Sequence, residues 1–361
     1  MALVHCAIIG CGRVAGHHIR AIKKLPGLKL VAVCDLIKER AEQLSLTAGV
    51  PFYTNYYEML TKYPEINLVA IITPSGMHYE HALEIITQFN KHVLIEKPMV
   101  LRLSHGQALK EIGVKHKVHI FPVFQYRFNK CVQRVKTAIE KNELGKIFLA
   151  TIRLRWCRPQ SYYNRDKWRG TFALDGGTCT NQAIHHLDLL RYLVGDIQSV
   201  NARMSTFGAQ IEVEDTATAT LQFKNGVMGI LEVTTAARPI DYESSISILG
   251  EKGFAMIGGG FTGDLIKFSP KPEDEITFSE KFPDAYGWGH ETIYQGVLDT
   301  LIQKKQPAVD FNDAMKTIGL LHALYVSNEN KEEIQVQDHR QSKRLGEERE
   351  ELANLYRTFK Q

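Results

Sequence analysis

The chain lacks any apolar run long enough to cross a membrane, and its opening residues show neither a basic cluster nor a small-residue cleavage site ahead of an apolar stretch. Neither a membrane span nor a secretory leader is expected, and the cytoplasm is the expected compartment. Cysteine is sparse and unpatterned. The six residues, at 6, 11, 34, 131, 157 and 179, form no CxxC pair and no metal-ligand spacing. They are expected to be reduced, mostly buried thiols, so a disulfide scaffold and a zinc ribbon drop out. The formal net charge of +4 over 361 residues is too small to point to nucleic acid, although it suits a small anionic ligand. What remains, with 44% hydrophobic and 23% charged residues, is an ordinary globular composition in a chain long enough for two domains.

The first third alternates strand and helix. Short apolar runs at His5 to Ile9, Lys29 to Cys34, Leu68 to Ile72, His92 to Glu96 and His119 to Phe124 are separated by helical patterns, the first of them amphipathic from Val14 to Leu25. This alternation predicts a doubly wound parallel sheet with right-handed crossovers. The turn after the first run, Gly10-Cys11-Gly12-Arg13-Val14-Ala15-Gly16, satisfies G-x-G-x-x-A and opens a helix at Arg13 and Val14. Gly10 permits the tight turn, Gly12 lets a pyrophosphate approach the backbone, and Ala15 allows close helix packing. Asp35 ends the next strand, where it can bind a ribose 2′-hydroxyl. Its carboxylate would repel a 2′-phosphate, and Leu36 beside it is not basic, so NAD is expected rather than NADP.

The third strong strand runs into Thr73-Pro74-Ser75-Gly76-Met77-His78, a loop at the sheet's carboxyl edge, which either lines the nicotinamide ribose or is a plain Pro-Gly turn. His78 and His81 have a metal-like spacing without a third ligand nearby, and they read as helix-surface or helix-start residues; no metal is expected. The next strand ends in Glu96-Lys97-Pro98. A lysine at that edge can hydrogen-bond a substrate hydroxyl and favour the negative charge that develops as hydride leaves; the plain alternative is a solvated strand-end lysine. Pro98 fixes the turn and is a candidate for a cis bond.

From Gln125 the texture changes. Asn129 is expected to cap a helix reaching Leu144 and stopped by Gly145, and Ile147 to Trp156 alternates as an antiparallel strand would. Further strands are expected at Ser199 to Phe207, Thr216 to Phe223, Val227 to Thr235, Ser244 to Leu249, Phe254 to Ile257 and Leu265 to Phe268, with a hairpin at Asn225-Gly226. The expected domains are 1–124, 125–340 and a helical tail at 341–361. The second is an α+β domain whose open, mainly antiparallel sheet carries helices on one face and needs an oligomer to cover the other. Helices are expected at Glu291 to Gln303, at Asp313 to Ser327 with Asn312 as cap, and near Glu347 to Phe359. Between the strands lies a chemically dense stretch: Arg158, Tyr162, Tyr163 and Arg169, then Gly176-Gly177 opening a helix that carries Asn181, His185, His186 and Asp188. Asn181 and His185, four apart, would share a helix face. The arginines can hold carboxylate or phosphate in a planar fork, or simply form salt bridges.

The Gly10 turn, the Thr73 to His78 loop, Glu96-Lys97-Pro98 and the Gly-Gly helix with His185 and Asp188 together resemble the Gfo/Idh/MocA oxidoreductases over essentially the whole chain. The resemblance implies that Lys97 and His185 flank a nicotinamide, with Gly10, Gly12, Arg13, Val14, Asp35, Thr73, Pro74, Ser75, His78 and Glu96 around NAD. A common sugar-oxidising pattern has an aspartate four residues before the histidine, where this chain has Asn181. Arg158-Pro159-Gln160-x-Tyr162-Tyr163, Trp168-Arg169-Gly170, Asn181-Gln182-Ala183 and Lys343-Arg344-Leu345-Gly346 are similar to the branch that oxidises the 3′-hydroxyl of UDP-N-acetylglucosaminuronic acid for surface polysaccharide synthesis. That implies a nucleotide-sugar dehydrogenase, with Asn181, Arg158, Tyr162, Tyr163 and Arg169 holding substrate, and a homo-oligomer, most simply a tetramer. His185 is the first choice of base, and Lys97 the second. The alternatives are a dehydrogenase or ketoreductase for another sugar or polyol, and a dinucleotide-binding regulator without turnover.

Overall fold

The computed structural model describes residues 3–259, 262–282 and 286–358. The chain divides into two compact units. One gathers the residues up to Phe124, His290–Met315 and those from Glu348 onward; the other holds Gln125–Gly289 and Lys316–Glu347.

The first unit is built on six strands: β1 (Val4–Ile9), β2 (Leu28–Cys34), β3 (Phe52–Tyr53), β4 (Leu68–Ile71), β5 (His92–Ile95) and β6 (Ile120–Pro122). They pair in the order β3-β2-β1-β4-β5-β6, all parallel. A parallel sheet needs cover on both faces, which is why β4 is Leu-Val-Ala-Ile with every residue buried. The order reverses between β1 and β4, and the crevice at the carboxyl ends of those strands is where such sheets take a ligand. The doubly wound fold read from the sequence is the one found. Its first helix begins at Ala15 and ends at Lys24, two residues later than the Arg13 start expected, because Val14 occupies the cap position. That helix packs on His290–Gln303 from the far end of the chain.

The second unit carries an eight-stranded sheet: β7 (Ile147–Arg155), β8 (Ile197–Ser205), β9 (Thr216–Phe223), β10 (Met228–Thr234), β11 (Glu243–Gly250), β12 (Gly253–Gly258), β13 (Asp264–Phe268) and β14 (Ile334–Gln335). The order is β13-β12-β11-β7-β10-β9-β8-β14. The sheet is mainly antiparallel, and Gly226, in the left-handed region at φ 87°, turns the β9–β10 hairpin. The strand whose alternation reads as antiparallel, β7, is so toward β11; toward β10 it runs parallel. Local alternation reports which face a residue occupies and nothing about which strand lies alongside. Side chains on one face are buried, among them Ala150, Ile152, Leu154, Leu221, Leu231 and Val233, under the helix Ile184–Val194 that packs on β7. On the other face Met228 is 60% and Ile230 46% exposed.

Three further helices differ from expectation at their ends. Asn129 precedes the helix Lys130–Glu140 but gives no side-chain cap, since its Nδ2 donates to the Thr262 carbonyl at 3.0 Å, and that helix stops at Glu140 rather than Leu144. The helix Phe311–Asn330 is capped by Asp310, whose Oδ1 accepts the Asp313 N–H at 2.9 Å, so Asn312 lies inside the helix. The terminal helix is one short turn, Glu350–Ala353; Phe359 lies outside the described residues. The Lys97–Pro98 peptide is cis. All six cysteines are free thiols, five of them buried.

Candidate active site

In the first unit the glycine turn is shaped by contact on one side and openness on the other. Gly10 sits at φ 97°, where a β-carbon would stand 2.4 Å from the Ile72 carbonyl oxygen, so any side chain there would overlap the backbone just after β4. Gly12 has nothing within 4 Å of where a β-carbon would stand, and Gly12 and Arg13 are exposed. No side chain caps the helix that starts at Ala15. Asp35 closes the turn from below, one carboxylate oxygen accepting the Cys11 N–H at 2.7 Å and the other the Ile37 N–H at 2.8 Å. A carboxylate has about four lone-pair positions, so these two bonds leave acceptor capacity for a ribose hydroxyl. An open backbone cradle, an uncapped helix start and a carboxylate at the end of β2 fit a dinucleotide.

Lys97, half-buried, leaves the carboxyl end of β5. The residue before it is wired into a cluster that local sequence reasoning missed. Glu96 is buried; its Oε1 accepts from His18 Nε2 and His290 Nε2, each at 3.1 Å, and its Oε2 accepts the Lys97 N–H at 2.9 Å. Burial pushes the Glu96 carboxyl up, but the two imidazole bonds outweigh it and hold the group well below the usual carboxylate range. Tyr294 completes the cluster at 3.0 Å from His18 Nδ1. Two imidazoles and a carboxylate within 4.8 Å form a donor set that suits a transition metal, yet here Glu96 Oε1 and the two Nε2 atoms are spent on one another. Glu96 was read from the motif; His18 and His290 had no local signal, because a helix and a segment nearly two hundred residues away supply them.

The Thr73 loop is tied down by two histidines expected at a helix surface or helix start; His78 opens the helix His78–Phe89, and both rings are buried. His78 Nδ1 lies 2.8 Å from the Pro98 carbonyl and its Nε2 2.9 Å from the Thr73 carbonyl. Burial holds its pKa below the ordinary value, against the pull of those carbonyls, and its ring nitrogens join the two loops. His81 Nδ1 meets Thr73 Oγ1 at 2.9 Å, and burial pushes that imidazole down to about 4. Ser75 is buried and Pro74 half-buried at the start of the short turn Ser75–Met77.

In the second unit Gly177 opens the one-turn helix Thr178–Asn181, and Ile184–Val194 follows. The two are not one regular helix. The Ala183 N–H reaches the Thr178 carbonyl, five residues back, at 2.8 Å, which adds a residue to that turn and shifts the phase expected from the spacing of four. His185 is buried with its ring stacked on Tyr126, centroids 4.2 Å apart and planes 17° from parallel. His186 points the other way, its Nε2 2.8 Å from Ser244 Oγ, and burial lowers it to about 4. Asp188 is held by Arg127 through two bonds, at 2.7 and 2.5 Å, and by Thr317 Oγ1 at 2.8 Å, which locks the helix that carries His185.

The glycine turn itself stands on buried Glu214. The carboxyl accepts the Cys179 N–H at 3.0 Å and the Tyr325 hydroxyl at 2.9 Å, and that hydroxyl also accepts the Gly177 N–H at 3.0 Å. Burial pushes Glu214 up to about 7. Of the predicted anion-binding residues, Arg169 donates to Tyr162 Oη at 2.7 Å and stacks between Tyr162 and Trp168. Arg158 pairs with Asp241 at 2.9 Å and lies over Trp156 and Tyr162. Arg155 belongs to a different group, bonded on the sheet to Glu232 and Glu243. Tyr163 is buried with its hydroxyl 3.1 Å from Thr235 Oγ1.

Comparison with known proteins agrees along the chain. Residues 4–124 match the family model described as an oxidoreductase family with an NAD-binding Rossmann fold, and residues 132–256 match the GFO/IDH/MocA C-terminal domain. The WlbA dehydrogenase of Bordetella pertussis, solved in complex with NADH and UDP-GlcNAcA, is 34% identical with a TM-score of 0.83, covering 92% of this chain and 98% of its own. Its counterpart from Chromobacterium violaceum, solved with the same two ligands, is 33% identical at the same TM-score, covering 93% and 96%. The NAD-dependent scyllo-inositol 2-dehydrogenase of Bacillus subtilis is 29% identical over 71% of this chain and 74% of its own length.

Proposed function

This chain belongs to the GFO/IDH/MocA oxidoreductase family as an NAD-dependent sugar or polyol dehydrogenase, and from that premise we propose that its substrate is a UDP-linked sugar acid, UDP-N-acetylglucosaminuronic acid, oxidised at the 3′-hydroxyl. The observation that carries the reading is the likeness, over more than nine-tenths of both chains, to two dehydrogenases solved with NADH and that sugar nucleotide. When bound, NAD supplies the hydride acceptor. Gly10, Gly12, Arg13 and Val14 hold its pyrophosphate and Asp35 its ribose, while Thr73, Pro74, Ser75, His78 and Glu96 shape the loops at the nicotinamide end. Lys97 orients the reacting hydroxyl and offsets the negative charge that develops on its oxygen. His185, held flat by Tyr126, takes the hydroxyl proton, and Asn181 holds a neighbouring hydroxyl.

Arg158, Arg169, Tyr162 and Tyr163 make up the remaining substrate contacts. Arg158 reads the carboxylate: an incoming acid takes over the guanidinium from Asp241. The product enters surface polysaccharide synthesis, and the enzyme works in the cytoplasm as a homo-oligomer, most simply a tetramer, that covers Met228 and Ile230 on the outer sheet face. The test is the rise of reduced-nicotinamide absorbance when UDP-N-acetylglucosaminuronic acid, UDP-N-acetylglucosamine and free inositols are each added with NAD. A rise with the uronic acid, and a KM for it that Arg158→Ala raises about tenfold, is expected. Turnover of inositol with no nucleotide sugar oxidised would overturn the assignment.

A further inference from the structure

The carboxylate that Asn181 fails to provide is present in the molecule, one turn of chain away. Asp175 is 1% exposed at the foot of the Gly176-Gly177 turn. Its Oδ2 accepts the Gly170 N–H at 2.7 Å, and its Oδ1 accepts from Asn181 Nδ2. Backbone bonds from the Asp175 and Gly176 N–H groups to the Thr171 carbonyl, at 3.1 and 2.9 Å, hold the aspartate in place. An ionised carboxylate only accepts, so the atom that Asn181 turns toward it is the amino group. The carbonyl oxygen of the same planar amide is thereby turned the other way.

We propose that Asp175 is a positioning residue that acts through Asn181, fixing the amide so that its carbonyl oxygen is the atom offered to a substrate hydroxyl. The inference rests on the assignment of Asn181 to the substrate made above. The arrangement separates two properties that an aspartate at position 181 would combine. The acceptor stays at the substrate, while the negative charge moves back into the protein, where Gly170 and Asn181 hydrogen-bond it. A neutral acceptor suits a substrate that is itself an acid, because a carboxylate at the same place would repel it.

Asp175→Asn tests this. Its Oδ1 can still accept the Gly170 N–H, which leaves its amino group facing Asn181, and Asn181 must then turn its own carbonyl inward. The expected result is a fall in kcat/KM of about tenfold, with NAD affinity and Tm unchanged; one misdirected hydrogen bond to substrate is worth about that factor. In an Asn181→Ala background the same substitution should cost nothing further, whereas a role independent of Asn181 would give multiplying losses and overturn the proposal. So would unchanged kcat/KM in either single variant. Asn181→Asp gives a second readout that needs no change at Asp175. Two carboxylates would face each other, and the pH profile of kcat/KM should gain an ionisation displaced upward from the carboxylate range. Its absence would count against the dyad. If the unmodified enzyme oxidises a polyol instead of a UDP-sugar, the substrate assignment fails by that fact, and the same cycle measured on the polyol still decides the role of Asp175.

Discussion

The turn at residues 10–16 and the turn at residues 175–185 both present a glycine pair at the mouth of a helix, yet they are held in opposite ways. The first is made of backbone. Gly10 fits under the Ile72 carbonyl, Gly12 is open, and Asp35 ties the loop through the Cys11 N–H. The second is made of buried side chains: Glu214 and Tyr325 beneath Gly177, Asp175 against Asn181, and Arg127 with Asp188 behind His185. A backbone cradle suits a ligand whose pyrophosphate needs only N–H groups, whereas a reacting hydroxyl needs particular atoms aimed from particular side chains.

The largest effect should come from removing the chemistry that each region serves. Lys97→Met and His185→Ala should each lower turnover about a hundredfold or more while NAD affinity measured by fluorescence titration stays within a fewfold. Near-normal turnover in both would return the lysine to a strand end and the histidine to the core. His186→Ala, which loses the contacts of its Nε2 with Ser244 and Thr262, should keep most of the activity of the folded enzyme.

The side-chain scaffold of the second turn should show itself in pH dependence. Glu214 is raised from an ordinary value of 4.5 to about 7 in the folded protein, so its protonated form stabilises the fold fully below pH 4.5, and that contribution is lost as pH rises through 7. Relative to Glu214→Gln, the unmodified chain should lose roughly 2 to 3 kcal/mol of stability between pH 5 and pH 8, as read from denaturant midpoints. Parallel pH curves for the two proteins would mean that Glu214 titrates like an exposed carboxylate.

A methyl group distinguishes the turns directly. Gly177→Ala would overlap the Glu214 carboxyl and should destabilise the fold by about 1 to 3 kcal/mol. Gly12→Ala meets open space, so its Tm should hold while NAD affinity falls. Equal Tm losses would erase the contrast. The smallest effect is expected at Asp35. NAD should bind more tightly than NADP, and Asp35→Ala should narrow the gap by about tenfold; indistinguishable affinities in the unmodified protein would remove the basis for cofactor choice.

Legibility followed the same division. The places of Gly10, Gly12 and Asp35 could be read because they depend on a strand, a turn and the next strand in sequence, and that of Lys97 because it follows an apolar run. The neighbours of Glu96 could not: His18 looked like one more residue of an amphipathic helix, and His290 lies in a distant segment. His78 does start a helix, as one of the two readings has it, but helix periodicity alone does not show that the loops on either side fold over it and His81. Arg155 lies three residues from Arg158 in sequence, but a β-strand sends it to the sheet face where Glu232 and Glu243 stand.

By itself the sequence determined the parallel sheet, the strand-turn-helix at Gly10 to Ala15 and the hairpin at Asn225-Gly226, since each depends on residue order over a few turns of chain. Only the tertiary structure decided that β7 lies parallel to β10, that Asp310 rather than Asn312 caps its helix, and that the Asn181 amide is turned by Asp175. The first and last of those outcomes depend on which buried group finds which partner. Burial makes an unmet polar group costly wherever in the chain its partner happens to be, so the pairing is settled by packing and not by spacing.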